Sequence, residues 1–264
     1  MMNRKLCLLI VALFVCLSSL AQNKVFRVGH LNMGQLSMGK KNQTTILHHD
    51  RRHKIAQFKQ LFNRIDADFL GLCEYAPFFS LLPDSSENVK DLTEEVILGG
   101  YKHHERCKRS HKNCNSIFSK KKKLKNFKIV KYSQGKGRCF VVADVLFGKK
   151  VVKLVETHLD VPKMKEFREI QMKELLDAFK DEKYVIICGD FNIASVKEYN
   201  SFRKNGYKLA NCENFGRLIT YPGTRGGACF DNIMCKGFEI LHVQVYDTDL
   251  SDHYAIACDL QIKK

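Results

Sequence analysis

Short runs of apolar, β-branched residues alternate along this chain with longer stretches whose apolar positions fall three and four apart. Val25–Leu31 ends at Asn32 and reads as a strand, while Arg51–Ile65 places Ile55, Phe58, Leu61, Phe62 and Ile65 on one helical face. Asp68–Cys73 is a second strand with Glu74 just beyond it, and Glu87–Leu98 carries a helical pattern. Asn115–Ser119 is a brief strand before the Lys120–Lys123 turn. Phe127–Tyr132, Arg138–Phe147 and Lys150–His158 read as consecutive antiparallel strands joined at the Gly135–Gly137 and Gly148-Lys149 turns. Lys163–Lys180 is a second amphipathic helix, with Met164, Phe167, Ile170, Leu175 and Phe179. The apolar strand Tyr184–Cys188 runs into Gly189-Asp190, and Ser195 caps a short helix through Phe202. Phe230–Cys235, Phe238–Tyr246 and Tyr254–Ile262 close the chain as strands. Helix alternation mixed with hairpins predicts an α/β fold: a four-layered sandwich, two mixed β-sheets packed face to face with helices on the outer faces.

The first apolar run does not belong to that pattern. Arg4 and Lys5 precede Leu6–Leu17, and Ser18, Ser19, Leu20 and Ala21 follow. A short basic region, an apolar stretch and small residues describe a secretory signal peptide, with cleavage after Ala21 and a secreted or periplasmic product. The run is short for a permanent span of a bilayer core about 30 Å thick, so no membrane helix is expected. Residues 22–264 are read as one compact domain, with no internal repeat or low-complexity linker.

Composition adds a charge argument. The chain carries 44 Lys and Arg against 28 Asp and Glu, a formal +16. Arg4 and Lys5 are the only charged residues before Gln22, so the rest stays strongly basic. Such a surface attracts polyanions, which points to a phosphate-bearing substrate, with nucleic acid foremost among them. Eleven cysteines include Cys7 and Cys16 in the signal, which leaves an odd number. Cys139, Cys188 and Cys258 sit in strand-like runs and read as small buried apolar residues. Cys107 and Cys114, in a polar stretch, are the expected disulfide. No Cys-x-x-Cys pair occurs, which argues against a zinc ribbon.

Polar residues punctuate the strand ends: Asn32, Glu74, His158, Asp190 with Asn192, Asp231 and Asp252-His253. Buried strands deliver such residues to one rim. Their types suit phosphoester hydrolysis. Mg²⁺ prefers oxygen ligands and keeps several waters, and Glu74, Asp252 and Asn32 would make such a sparse site. The ion would polarise a phosphoryl oxygen and stabilise the leaving oxyanion. A histidine suits the proton transfer from water near neutral pH, and a carboxylate such as Asp231 would fix its tautomer. A second histidine and an Asn amide would donate to the non-bridging oxygens.

Gly189-Asp190-Phe191-Asn192 after an apolar strand, and Ser251-Asp252-His253 before a last strand, resemble two signature blocks of the endonuclease/exonuclease/phosphatase superfamily. Leu31-Asn32, Leu72-Cys73-Glu74, Asn115-Ser116-Ile117, Thr157-His158-Leu159 and Phe230-Asp231-Asn232-Ile233 complete the family's order along the chain. The resemblance implies metal-side roles for Asn32, Glu74 and Asp252, with Mn²⁺ as an alternative to Mg²⁺. It implies that Asp190 and Asn192 position water and phosphate, that His158 stabilises the phosphate, and that His253 is the catalytic histidine with Asp231 as partner. The departures are His30-Leu31 where an aromatic often precedes Asn, Tyr75 after Glu74, Cys114 where Gly is typical, and Asn232 after Asp231. They bear on the subfamily and leave the catalytic set whole.

Three functions are open on the sequence: a secreted nuclease, a phosphatase or phosphodiesterase on a small or lipid phosphate, and a non-catalytic binding protein on the same fold. Basic charge and compact length favour the nuclease, acting as a monomer. Lys120–Lys123 reads as a solvated turn and His48–His53 as a solvated or phosphate-facing loop.

Overall fold

The computed structural model describes residues 25–34, 48–75, 98–107, 115–193 and 195–263, with side chains of the first helix described from Ala56 onward. The signal segment, most of the 87–98 helix and Cys114 lie outside these residues. Two six-stranded sheets form the body. The first sheet is built from β1 (Val25–Asn32), β2 (Phe69–Cys73), β3 (His103–Arg106), β4 (Ser116–Ser119), β11 (Phe238–Tyr246) and β12 (Ala255–Ile262), in the order β11-β12-β1-β2-β4-β3. The second holds β5 (Lys125–Lys131), β6 (Cys139–Phe147), β7 (Lys150–His158), β8 (Val185–Asp190), β9 (Lys208–Leu209) and β10 (Asp231–Lys236), in the order β5-β6-β7-β8-β10-β9.

Each sheet contains one parallel pair made by a helical crossover. Helix α1 (His48–Ile65) links β1 to β2, and α2 (Lys165–Ala178) links β7 to β8. A 3₁₀ turn at Val196–Tyr199 runs into the short α3 (Asn200–Lys204). Ser195 stands at the N-cap of that turn as expected, and Glu198 reaches back to its N–H at 3.4 Å. His48–His53 belong to the first turns of α1 rather than to a loop before it.

The alternation of side chains sorts the interior into layers. Phe26, Val28, Phe69, Ile117, Val141, Leu154, Ile186, Ile233, Ile256 and Cys258 fill the space between the sheets. On the outer face of the first sheet, Phe58, Leu61, Phe62 and Ile65 of α1 cover Leu31, Leu70, Leu72 and Ala257. On the outer face of the second, Met172, Leu175 and Leu176 of α2, with Phe202 of α3, cover Val155, Val185, Ile187 and Met234. This is the predicted four-layer α/β sandwich. Cys139, Cys188 and Cys258 are buried as expected, and the Cys107 sulfur lies 3.6 Å from that of Cys139.

Strand direction brings the polar ends together. In the parallel pairs, Asn32 stands opposite Cys73 and His158 opposite Asp190. Strand β10 runs antiparallel to β8 with Asp231 opposite Asp190. His30 pairs with Ile256, so Asp252 and His253, just before β12, arrive at the same edge. Two strands escaped the hydrophobic pattern. β3 is a polar edge strand, His-His-Glu-Arg, and β9 has two residues.

Candidate active site

Asp231 opens β10 with both carboxylate oxygens engaged by imidazoles. Oδ2 lies 2.8 Å from His253 Nδ1, and Oδ1 lies 3.0 Å from His30 Nε2. Burial would raise this carboxyl, but the two histidines outweigh it and hold Asp231 well below the usual carboxylate range. Burial opposes a charged His253, yet Asp231 and Asp190 prevail and push it up to about 9. With Nδ1–H committed to Asp231, Nε2 is the atom His253 presents to the rim, 3.8 Å from Asp190 Oδ2. The backbone fixes this pairing from both sides. Ser251 Oγ donates to the Asn32 carbonyl at 2.6 Å and accepts the His253 N–H at 3.2 Å, which docks the lead-in to β12 on the end of β1. The Asp231 N–H donates to Thr220 Oγ1, and the Tyr221 ring lies 4.9 Å from the His253 ring.

Asp190 is the hub of the second half. Its Oδ1 accepts the Asn192 N–H at 2.9 Å, and its Oδ2 accepts Asn32 Nδ2 at 3.0 Å and lies 3.3 Å from His158 Nε2. Asn192 donates one amide hydrogen to the Leu159 carbonyl at 3.1 Å. The second amide hydrogen lies toward His158 Nε2, with Nδ2 and Nε2 3.2 Å apart. Burial, together with the Arg138 and His253 charges, lowers His158 well below the ordinary histidine value. His158 is therefore neutral. Its Nδ1 has no hydrogen-bond partner and lies 3.7 Å from Glu74 Oε1.

Glu74 and Asn192 both adopt left-handed backbone conformations, with φ of 47° and 51°. Asn tolerates this region, whereas a glutamate there is uncommon and marks a site where the surroundings hold a strained residue. Burial, then the Asp190 and Asp252 charges, raise the Glu74 carboxyl. Glu74 thus feels Asp190 and Asp252 as neighbouring like charges, and hard carboxylate oxygens of this kind suit a divalent cation of the Mg²⁺ type. Asn32 gives its Oδ1 to the Gly34 N–H at 2.9 Å and keeps a second lone pair. Two groups of described residues bring ligand atoms within 4.8 Å of one another: Asp190, Asp231 and His253, and His30, Cys73 and Glu156. The first overlaps the predicted catalytic set. All the predicted residues, from Asn32 and Glu74 through Asp252 and His253, meet at this rim.

The sequence reading missed a layer beneath it. His30 and Glu156 are fully buried, with His30 Nδ1 3.0 Å from Glu156 Oε1. Burial opposes the His30 charge, but Glu156 and Asp231 flank the ring and push it up to about 10. The His30 imidazolium thus bonds Asp231 of β10 and faces Glu156 of β7, whose carboxyl burial raises and whose oxygens make no hydrogen bond. Gly71 makes room for it: a Cβ there would meet Glu156 Oε2 at 1.9 Å. The available signal was strand parity, since His30 shares its face with Val28 and Asn32, and Glu156 with Leu154 and His158. Arg138 was also missed. Its buried Nη1 has no hydrogen-bond partner, and its charge lowers both His158 and Glu74.

A family model described as the Endonuclease/Exonuclease/phosphatase family matches residues 46–253. Curated protein sequences give no match. Among solved structures, the chain resembles an endonuclease/exonuclease/phosphatase from Bacteroides vulgatus at TM-score 0.70 and 14% identity, covering 91% of this chain and 100% of that one. D. rerio TDP2 complexed with a single-strand DNA product gives TM-score 0.69 and 16% identity over 90% and 99%. The human Nocturnin catalytic domain with bound sulfate gives 0.68 and 17% over 90% and 95%. With that model spanning most of the sandwich and ending at His253, the chain belongs to the endonuclease/exonuclease/phosphatase family of phosphoric ester hydrolases.

Proposed function

We propose that this chain is a secreted, Mg²⁺-dependent phosphodiesterase that cleaves nucleic acid with water. The observation that carries the reading is the rim itself, where Asp190 is held by Asn32 and Asn192 beside the His253–Asp231 pair. Phosphoryl transfer asks mostly for positioning and for stabilisation of growing oxyanion charge. Asp190, with one hydrogen bond locking each oxygen, orients the attacking water. His253 exchanges a proton at Nε2 while Asp231 holds its tautomer. His158 donates a ring N–H to a non-bridging oxygen, and Asn192 keeps that ring in place. Glu74, Asp252 and Asn32 would hold Mg²⁺ or Mn²⁺, whose chemistry is to offset phosphoryl and leaving-group charge. Net charge of +16, and the single-strand DNA bound by the D. rerio TDP2 relative, support nucleic acid as substrate.

The test is a screen of plasmid DNA, single-stranded DNA, RNA, phosphoinositides, sphingomyelin and sugar phosphates, each with Mg²⁺, with Mn²⁺ and with EDTA. Cleavage of DNA or RNA, abolished by EDTA and restored by either metal, is expected. Full turnover in chelator would sink the metal assignment. Turnover confined to lipid or sugar phosphates would replace the nuclease with a phosphatase, and none on any substrate would favour a binding role. Glu74→Gln should raise the Mg²⁺ concentration needed for half-maximal activity while leaving the thermal transition in place.

A further inference from the structure

The segment between β9 and β10 leaves the second sheet at Leu209 and returns at Asp231. On the way it places Thr220 and Tyr221 against the catalytic pair. Its neck is tightly pinned. Asn211 N–H donates to Asn232 Oδ1, and Asn211 Nδ2 donates to the Leu218 and Asp231 carbonyls. The Cys212 N–H bonds the Gly216 carbonyl, and Arg203 Nη2 holds the Cys212 carbonyl at 2.9 Å. Across the neck, Ala228 exchanges backbone bonds with Tyr221. This framework sets the buried Cys212 and Cys229 sulfurs 2.8 Å apart, closer than the 3.6 Å of Cys107 and Cys139. Cys212 takes a left-handed φ of 66°, a conformation that costs a non-glycine residue.

We propose that Cys212 and Cys229 form a disulfide that closes the neck of this loop and holds Thr220 and Tyr221 against Asp231 and His253. A bond of about 2.0 Å requires the sulfurs, now 2.8 Å apart, to close by under about 1 Å. The chemistry is set up for exchange. The Cys212 hydrogen bond, followed by the Arg217 guanidinium, lowers the Cys229 thiol, so its thiolate is the attacking group. A small-molecule disulfide of the glutathione class is the oxidant. The Cys229 thiolate attacks one of its sulfurs and expels a first glutathione thiolate. Cys212, on losing its proton, then attacks the Cys229 sulfur of the mixed disulfide and expels the second. The two cysteines lose two protons and two electrons, and the oxidant is recovered as two thiols. The cross-link restrains the loop chiefly by limiting its open states. Formation of the bond is independent of the function proposed above, whereas its effect on turnover rests on that reading.

The test equilibrates the folded chain with glutathione disulfide, alkylates remaining thiols in denaturant, and maps peptides by mass spectrometry without reductant. A linked Cys212–Cys229 peptide that disappears on reduction is expected. Amide exchange across residues 213–228 should speed up several-fold on reduction and equally in Cys212→Ser, which no longer responds to reductant. The thermal transition should fall by roughly 5–10 °C. Turnover should drop several-fold in parallel. Complete alkylation of Cys212 and Cys229 after oxidation, or either cysteine linked elsewhere, overturns the bond. Unchanged exchange on reduction overturns the clamp. If Cys212→Ser does not fold, the wild type with and without reductant decides alone, and the peptide map and exchange stand whether or not a substrate is known.

Discussion

Asp231 is the residue on which the site turns, because each of its oxygens serves a different histidine. An Asn there offers one acceptor and one donor, so it cannot satisfy both rings in the tautomers they now hold. His253→Ala should lower kcat by at least about 10²-fold, the scale for losing a positioned proton-transfer group. Asp231→Asn should be comparably severe. The double variant should lose far less than the product of the two, since the pair acts as a unit. Measured kcat/KM values for wild type, both singles and the double decide this, and strictly multiplicative losses would mean the two residues work independently. His30 and Glu156 lie behind that pair and take no part in contacting substrate. Their part is to keep Asp231 ionised and fixed, through a buried charge network whose members depend on one another.

Strand pairing converts these local contacts into a rim. In the parallel β7–β8 pair, Gly189 faces Thr157, and a Cβ on Gly189 would lie 2.4 Å from the Thr157 carbonyl oxygen. Gly189→Ala must therefore push the strands apart between His158 and Asp190. We expect a loss of about 1–3 kcal/mol, the range for overpacking a filled interior, together with reduced activity. Gly100→Ala, which meets nothing within 4 Å, should be near neutral when both variants are compared with wild type by urea titration. A second strand pair carries a pH signature. Arg27 of β1 stands directly opposite Asp259 of β12, with Nε 2.7 Å from Oδ1. The Arg27 hydrogen bond, against partial burial, holds the Asp259 carboxyl below its ordinary value. A carboxyl depressed in the folded state stabilises above the unfolded value of about 3.9 and loses that contribution as pH falls through the folded one. The stability gap between wild type and Asp259→Asn should accordingly be largest above about pH 4 and shrink below it. A gap that stays constant down to the acid transition would show that the charge is not involved.

At the scale of the whole molecule, two sheets with helices outside leave one edge of the sandwich free for chemistry, and the polar strand ends all reach it. No helix among the described residues is long and apolar enough to cross a membrane. The Arg4-Lys5 and Leu6–Leu17 pattern still predicts export. Protein recovered outside the cytoplasm should begin at or near Gln22 on N-terminal sequencing. A start at Met1 in that fraction would reject cleavage. Export would also place Cys212 and Cys229 where a disulfide persists.

The amino-acid sequence by itself determined most of the strands, the two main helices, their order and the polar residues that end several of those strands. Those properties are local: an apolar run and the residue after it are neighbours in the chain, and the period of the pattern names the element. Asn32, Glu74, His158, Asp190, Asn192, Asp231, Asp252 and His253 were legible for that reason. What only the tertiary structure decided is which charges meet. His30 and Asp231 are 201 positions apart, Ser251 and Asn32 are 219 apart, and nothing local links them. Glu156 reads in sequence as one more polar residue near a strand end, and becomes the partner of a buried imidazolium only when β7 faces β1 across the core. The polar edge strand β3 and the two-residue β9 were likewise invisible, because they hold their places through backbone pairing rather than side-chain burial. The Cys212–Cys229 approach belongs to the same class, since the hydrogen-bonded neck of a loop, and no spacing in the chain, brings those sulfurs together.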